Sequence, residues 1–314
     1  MSRAVLFFTA CAAMTAAAPA LAETIYCTTI TSVPITITAP GIYCLKQDVN
    51  TGITSGAAIT INANNVTIDF NDYKLGGLTG GPNTMASGVY ANARSNITLR
   101  NGNIRGFRTG IYLNGANGGP GSGHLVENNL LDGNTSIGIF ASGAGVVVRG
   151  NRVVNTGPGP GGTLAYGIYG IFLNHSVIQD NSVSDTQSSV NARGIDLYIA
   201  SAVDISRNSI ATTTTSRGDA YGISATQSGR LNISENSILN TKAYLYADGV
   251  YLVDTASVIV RGNDIVAIDG DVDAGIAGSA ITRVLCRDNT VVESTMGNFG
   301  CTTESRTVTT PSVP

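Results

Sequence analysis

The residues best suited to chemistry are carboxylates and guanidiniums in the second half of the chain: Asp196, Asp219 and Asp248, with Arg193 and Arg217 close to them in sequence. The acids follow one another at spacings of 23 and 29 residues. A structural repeat of that length would stack them on one face, with carboxyl groups roughly 5 to 10 Å apart, the range in which two acids hydrolyse a glycosidic bond. One would donate a proton to the leaving oxygen; the other would activate water or attack the sugar. The alternative chemistry is β-elimination from a uronic acid sugar, with Arg193 or Arg217 as base and a carboxylate-bound Ca²⁺. The plain alternative is a set of solvated loop charges.

A second group, Asp269-x-Asp271-x-Asp273, offers oxygen ligands at alternate positions, as the opening of a calcium loop does, and marks a Ca²⁺ candidate. Its sixth position is Ala274 and its twelfth Ala280, so the turn glycine and the bidentate glutamate of an EF-hand are missing. An acidic surface turn is the competing reading. His124 and His175 stand apart from each other and from these acids, which favours structural roles over a metal pair.

The elements that position these groups are explicit in a repeat. Val66-Thr67-Ile68-Asp69-Phe70-Asn71, Val146-Val147-Val148-Arg149-Gly150-Asn151, Val203-Asp204-Ile205-Ser206-Arg207-Asn208 and Val258-Ile259-Val260-Arg261-Gly262-Asn263 share one template. Apolar residues stand five and three places before an Asn, usually with another two places after it. Gly102 takes the Asn position once, and Gly and Asn tolerate a left-handed backbone best, so the expectation is a one-residue bend at that position between two strands. A third strand precedes each pair and reads Gly-Ile/Val-x-Leu/Ala, beginning at Gly88, Gly110, Gly138, Gly194, Gly222 and Gly249. Period-two alternation on all three segments directs the apolar residues to one interior. Three short strands per repeat, recurring from Asn71 to Asn289, predict an all-β, single-domain parallel solenoid of about nine three-strand coils with capped ends. Residues 23–56 are expected to cap it, 57–301 to form the coils and 302–314 to be a flexible tail.

With the Ile or Val of that third strand inward, the next residue faces out. The outward row then reads Tyr90, Tyr112, Phe140, Tyr169, Asp196, Ser224 and Tyr251, with Tyr198 two places beyond Asp196. Tyr169 depends on reading Gly167 as a further strand start; a start at Gly170 would place Phe172 there instead. Coils spaced by about 4.8 Å would carry such a stripe at nearly the rise of a sugar chain, so a polysaccharide stacked on these rings is one expectation. A purely structural ring ladder is the other.

The repeat resembles the pectate-lyase-like superfamily of right-handed parallel β-helices, across about residues 33 to 292. Pro40-Gly41-Ile42-Tyr43-Cys44-Leu45, Ala58-Ile59-Thr60-Ile61 and Asn65-Val66-Thr67-Ile68-Asp69 are similar to the opening of that group. The resemblance implies a right-handed helix and an internal hydrogen-bonded ladder of Asn71, Asn129, Asn151, Asn181, Asn208, Asn236, Asn263 and Asn289. It transfers no activity, because the polygalacturonase Asn-Thr-Asp, Gly-His-Gly and Arg-x-Lys motifs and the pectate lyase Arg-x-Pro-x-x-Arg are absent.

Residues 1–22, with Arg3 followed by an apolar run to Ala20-Leu21-Ala22, read as a secretory signal peptide, which predicts a secreted or periplasmic protein. No later stretch has the roughly 18 continuous apolar residues of a membrane span. The net charge of −3 becomes −4 once Arg3 is removed and gives nucleic acid no basic surface. Cys27, Cys44, Cys286 and Cys301 then remain. Their positions suggest Cys27–Cys44 and Cys286–Cys301 bridges, though four cysteines allow three pairings. A polysaccharide is therefore the expected partner, to be bound or cleaved by a lyase or hydrolase; a non-catalytic envelope scaffold or adhesin is the alternative. The repeat specifies no oligomeric state.

Overall fold

The structure is a computed structural model that describes residues 26–115, 122–157, 162–296 and 298–310. The expected signal peptide lies outside the described residues. The chain forms a right-handed parallel β-solenoid of about nine turns. Three sheets run its length. The first passes from Ile35–Ile37 and Ala57–Ile61 through Ser87–Asn92, Asn191–Tyr198, Asp219–Thr226 and Tyr246–Val253 to Val272–Ser279. The second holds strands such as Ile97–Arg100, Ser201–Ser206 and Thr282–Arg287, and the third Asn103–Arg105, Ser209–Thr215 and Thr290–Val292. Leu164–Gln179 runs through the corner between the first two sheets and belongs to both. Strands between the two ends pair in parallel with their equivalents one coil before and after, so Val89, Ile111, Ile139, Ile168, Ile195, Ile223 and Val250 form one inward file. Those side chains are all but fully buried.

The Asn ladder forms inside the second corner. From Asn151 to Asn289 each Oδ1 accepts both the backbone N–H and an Nδ2–H of the Asn one coil earlier, at 2.9–3.0 Å. Each Nδ2 also donates to a carbonyl of the preceding coil, as Asn208 does to Ile178. Asn129 receives Gly102 N–H in the same way, and Asn71 donates to the Leu45 carbonyl. The bend itself falls one residue earlier than expected: Asn128, Gly150, Asp180, Arg207, Glu235, Gly262 and Asp288 have φ of 52–62°. The left-handed residue turns the chain outward and thereby swings the following Asn inward, where its amide replaces the backbone pairing lost at the corner. Arg207 and Glu235 accept a conformation that disfavours side chains, because the fixed geometry of the ladder outweighs about 1 kcal/mol of local strain.

Both ends depart from the expected layout. Coil pairing begins before residue 57: Ile35–Ile37, Gly41–Cys44 and Val49–Asn50 stack on Ala57–Ile61, Val66–Asp69 and Lys74–Gly76. The segment expected to be a loose tail supplies Thr303–Ser305 and Val308–Thr310, which extend the second and third sheets by one rung. Main-chain pairing suffices to hold these residues, although their side chains are exposed. Cys27–Cys44 and Cys286–Cys301 are bonded. Cys286 is buried in line with Val260, so its bridge fastens the final rung to the core.

Candidate functional site

The outward row of the first sheet is in the expected register: Tyr90, Tyr112, Phe140, Tyr169, Asp196, Ser224 and Tyr251 are successive partners. Gly167 holds the repeat-glycine position in line with Gly138 and Gly194, so Tyr169 keeps the register, and Phe172 lies at the corner, with φ 53°. A second outward row stands three residues upstream, immediately before the glycine: Ser87, Thr109, Ile137, Tyr166, Arg193, Tyr221, Asp248 and Ala274. In a flat strand residues three apart face opposite sides. Here the chain bends at the glycine, which packs inward with no room for a side chain. A Cβ on Gly194 would meet Ile210 Cγ2 at 2.4 Å and Gly222 O at 2.6 Å. The bend brings both rows onto one surface, where Tyr166 stacks on Tyr169 at 4.8 Å and Arg193 reaches Asp196 at 3.0 Å.

The result is a continuous column of planar groups along the helix. Tyr90, Tyr112 and Phe140 stack nearly parallel, with centroids 5.1 and 4.4 Å apart, and Phe140 meets Tyr169 edge-on at 5.5 Å. Arg193 then replaces a ring, its guanidinium 5.8 Å from Tyr166 and 5.4 Å from Tyr221, and Tyr221 stacks on Tyr251 at 4.3 Å. This arrangement corrects the expected mode of sugar contact. In the first half of the column the stacked ring faces are taken up by one another, so Tyr90, Tyr112 and Phe140 offer a ligand ring edges, and Tyr90 and Tyr112 their hydroxyls. Tyr198 is half-buried in a neighbouring outward file with Ile171 and Thr226.

The charged groups converge where the column passes Arg193. Asp196 is 3 % exposed, pairs with Arg193 and accepts the Ser224 hydroxyl. Burial pushes its carboxyl above the usual carboxylate range, against the pull of Arg193 and Ser224. Asp248 is also 3 % exposed and accepts the Ala274 N–H. Burial, with the charges of Asp219 and Asp273 nearby, pushes it up to about 8, so it carries a proton at neutral pH. Asp219 begins the neighbouring strand, two residues before the partner of Asp248. One rung across and two residues along place their Cα atoms about 8 Å apart. Asp219 Oδ1 is buried with no hydrogen-bond partner among the described residues. Asp219, Asp248 and Asp273 thus lie on strands. Arg217 is exposed in the preceding loop and forms no ion pair among the described residues.

The calcium candidate does not assemble. Strand alternation turns Asp273 into the core in line with Ala247, where it is 3 % exposed and accepts the Thr295 N–H, while Asp269 pairs with Lys242 and Asp271 faces solvent. Among the described residues no group of three or more His, Cys, Asp or Glu side chains is placed to hold a metal ion. His124 is buried in the core, accepts the Ile97 N–H at Nδ1, and is pushed down to about 4 by burial.

Sequence reasoning missed Tyr166 and Tyr221, which complete the column, and Ser224 as a hydrogen-bond donor. It also missed Tyr246, 47 % exposed beside Asp219 and two residues before Asp248. The available signal was the residue preceding each repeat glycine: Tyr166-Gly167-Ile168, Arg193-Gly194-Ile195, Tyr221-Gly222-Ile223 and Asp248-Gly249-Val250 occupy one file.

No curated protein sequence matches the chain significantly. Solved structures similar to it include Dettilon tailspike protein, with a TM-score of 0.59 and 16% identity over 90% of this chain and 58% of that one. A variant of the periplasmic alginate epimerase AlgG gives a TM-score of 0.52 and 14% identity over 83% of this chain and 60% of that one. PfbA, a surface adhesin of Streptococcus pneumoniae, gives 0.52 and 16% over 76% of this chain and 62% of that one. These likenesses are of fold, and the chain spans only about six-tenths of each of those proteins. No helix among the described residues is long and apolar enough to cross a membrane. The family model described as right handed beta helix region matches residues 87–265 and 165–309, and the chain belongs to that family.

Proposed function

We propose that this chain is an exported polysaccharide-binding protein that hydrolyses its glycan at the Asp219–Asp248 pair. The reading is carried by a buried carboxyl, Asp248, pushed up to about 8, that lies one rung from a second carboxyl, Asp219, whose Oδ1 is buried without a hydrogen-bond partner among the described residues, beside the ring column. Asp248 gives its proton to the glycosidic oxygen as the bond to the anomeric carbon breaks. Asp219 takes a proton from the water that attacks that carbon, and proton exchange with solvent restores both groups. Arg193, held between two rings and tied to Asp196, is a fixed positive charge beside the reacting sugar. The two disulfides suit an oxidising compartment outside the cytoplasm. The similar fold of a periplasmic alginate epimerase supports a glycan as ligand, by analogy of fold alone.

The test is incubation of the mature protein with acidic and neutral polysaccharides, following reducing ends and the absorbance of unsaturated uronates. Reducing ends without that absorbance, lost in Asp219→Asn and Asp248→Asn, are expected. The absorbance of unsaturated products would overturn hydrolysis in favour of elimination, and silence from the whole panel would overturn catalysis. One observation favours a second reading: the face-to-face packing of Tyr90, Tyr112 and Phe140 stiffens the rod without any ligand, as a scaffold or adhesin requires. Glycan binding without turnover would select it.

A further inference from the structure

A cleft of about 290 Å³ lies beside the ring column, between the segments leading into four successive strands of the first sheet: residues 82–85, Arg108, Thr135 with Ser136, and residues 162–164. Arg108 is the one ionisable side chain in its lining. Whereas Arg100, Arg105, Arg149 and Arg207 each hold a carboxylate on a neighbouring coil, Arg108 is exposed and makes no ion pair among the described residues. A cation without a counter-ion, in a chain of net charge −3, makes this cleft locally positive on an acidic protein. Around it, Asn83, Thr135 and Thr163 supply the amide and hydroxyl groups that sugar hydroxyls require, and Met85, 58 % exposed, gives an apolar flank.

The position along the rod adds a second argument. Arg108 immediately precedes Thr109, and Thr109 occupies the same file as Arg193, three rungs away through Ile137 and Tyr166. Three rungs are about 14 Å. The backbone positions of Arg108 and Arg193 therefore differ by one residue along the strand and three rungs along the helix, a distance that an extended glycan spans with about three sugars at one per rung.

We propose that this cleft is an anion-recognising subsite, in which Arg108 takes the carboxylate or sulfate ester of an acidic sugar bound about three residues along the chain from the sugar at Arg193. The proposal rests on the polysaccharide reading above and adds the substrate class, an acidic glycan. A guanidinium takes either anion through two parallel hydrogen bonds, which a neutral sugar cannot match.

The experiment is calorimetric titration of the intact mature protein with a polyuronate oligosaccharide, its carboxyl-reduced neutral counterpart and a sulfated oligosaccharide, using wild type, Arg108→Gln and the control Arg152→Gln on the third sheet. Wild type is expected to prefer at least one charged ligand by about tenfold or more. Arg108→Gln should lose that preference while keeping the affinity for the neutral chain, and Arg152→Gln should match wild type. The ligand whose gain depends on Arg108 identifies the anion. Equal binding of charged and neutral chains by wild type, or a preference that survives in Arg108→Gln, would overturn the subsite and leave the polysaccharide reading standing. Absence of binding to all three ligands overturns both.

Discussion

Replacing Asp248 by Asn removes the proton that the proposed hydrolysis requires and leaves the shape of the side chain almost unchanged. In the folded chain burial and the neighbouring acids push this carboxyl up to about 8, while its ordinary value is 3.8. Between those limits the folded state binds more protons than the unfolded state. Its contribution to stability is therefore fully present below about pH 4 and is lost as pH rises, by at most about 1.4 kcal/mol per pH unit and on the order of 5 kcal/mol across the window. The amide introduced by Asp248→Asn would not titrate, and its Oδ1 can still accept the Ala274 N–H while its Nδ2 faces the acidic side of the site. The variant should therefore gain on wild type steadily from about pH 4 to about pH 8, with a lead of several kcal/mol at the alkaline end. Urea unfolding of both proteins across that range measures the difference, in which titrations common to both proteins cancel. A difference that is flat with pH, or that favours wild type in alkali, would refute the placement of a protonated acid at this position.

Other residues make separate demands. Arg193→Met should cost about 3–5 kcal/mol, because it leaves the Asp196 carboxyl buried without its cation, and adding Asp196→Asn should recover most of that loss in a double-mutant cycle. Asn208→Ala leaves the Asn181 N–H and the Ile178 carbonyl buried without this partner, which should lower stability by about 2–5 kcal/mol in urea unfolding. His124 is pushed down to about 4 from 6.5. The unfolded chain then takes up the proton first, so stability should fall by at most about 3 kcal/mol as pH drops from about 6.5 to about 4. His124→Gln should flatten that limb; an unchanged acid limb would contradict the assignment.

The coils were legible because each repeat states its own geometry. Alternation assigns an inward file, and the register followed from aligning Ile195 with Ile223 and Val250. The bend was misplaced by one residue because Asn at a corner has two uses, a left-handed backbone or an inward amide. Only the ladder of bonds from Asn129 to Asn289 decides for the second. Asp273 looked like a ligand on spacing alone, and the phase of its strand turned it inward. Tyr166 and Tyr221 escaped attention because a flat strand sends residues three apart to opposite sides; the bend at Gly167 and Gly222 is a property of the coil. The Arg108 cleft was illegible for another reason, since it is made by connecting segments of different lengths that meet only when four coils stack. The last rung, Thr303–Ser305 and Val308–Thr310, has little apolar content to announce it and is held by main-chain pairing and the Cys286–Cys301 bridge.

The central claim, that Asp248 supplies the proton for glycan cleavage, is tested most directly by the pH dependence of reducing-end release from an acidic polysaccharide, in wild type and in Asp248→Asn. The account predicts activity that holds through neutral pH and falls as pH rises through about 8, with loss of turnover in a folded Asp248→Asn protein that still binds the glycan. Turnover in Asp248→Asn with the alkaline limb of wild type would contradict it.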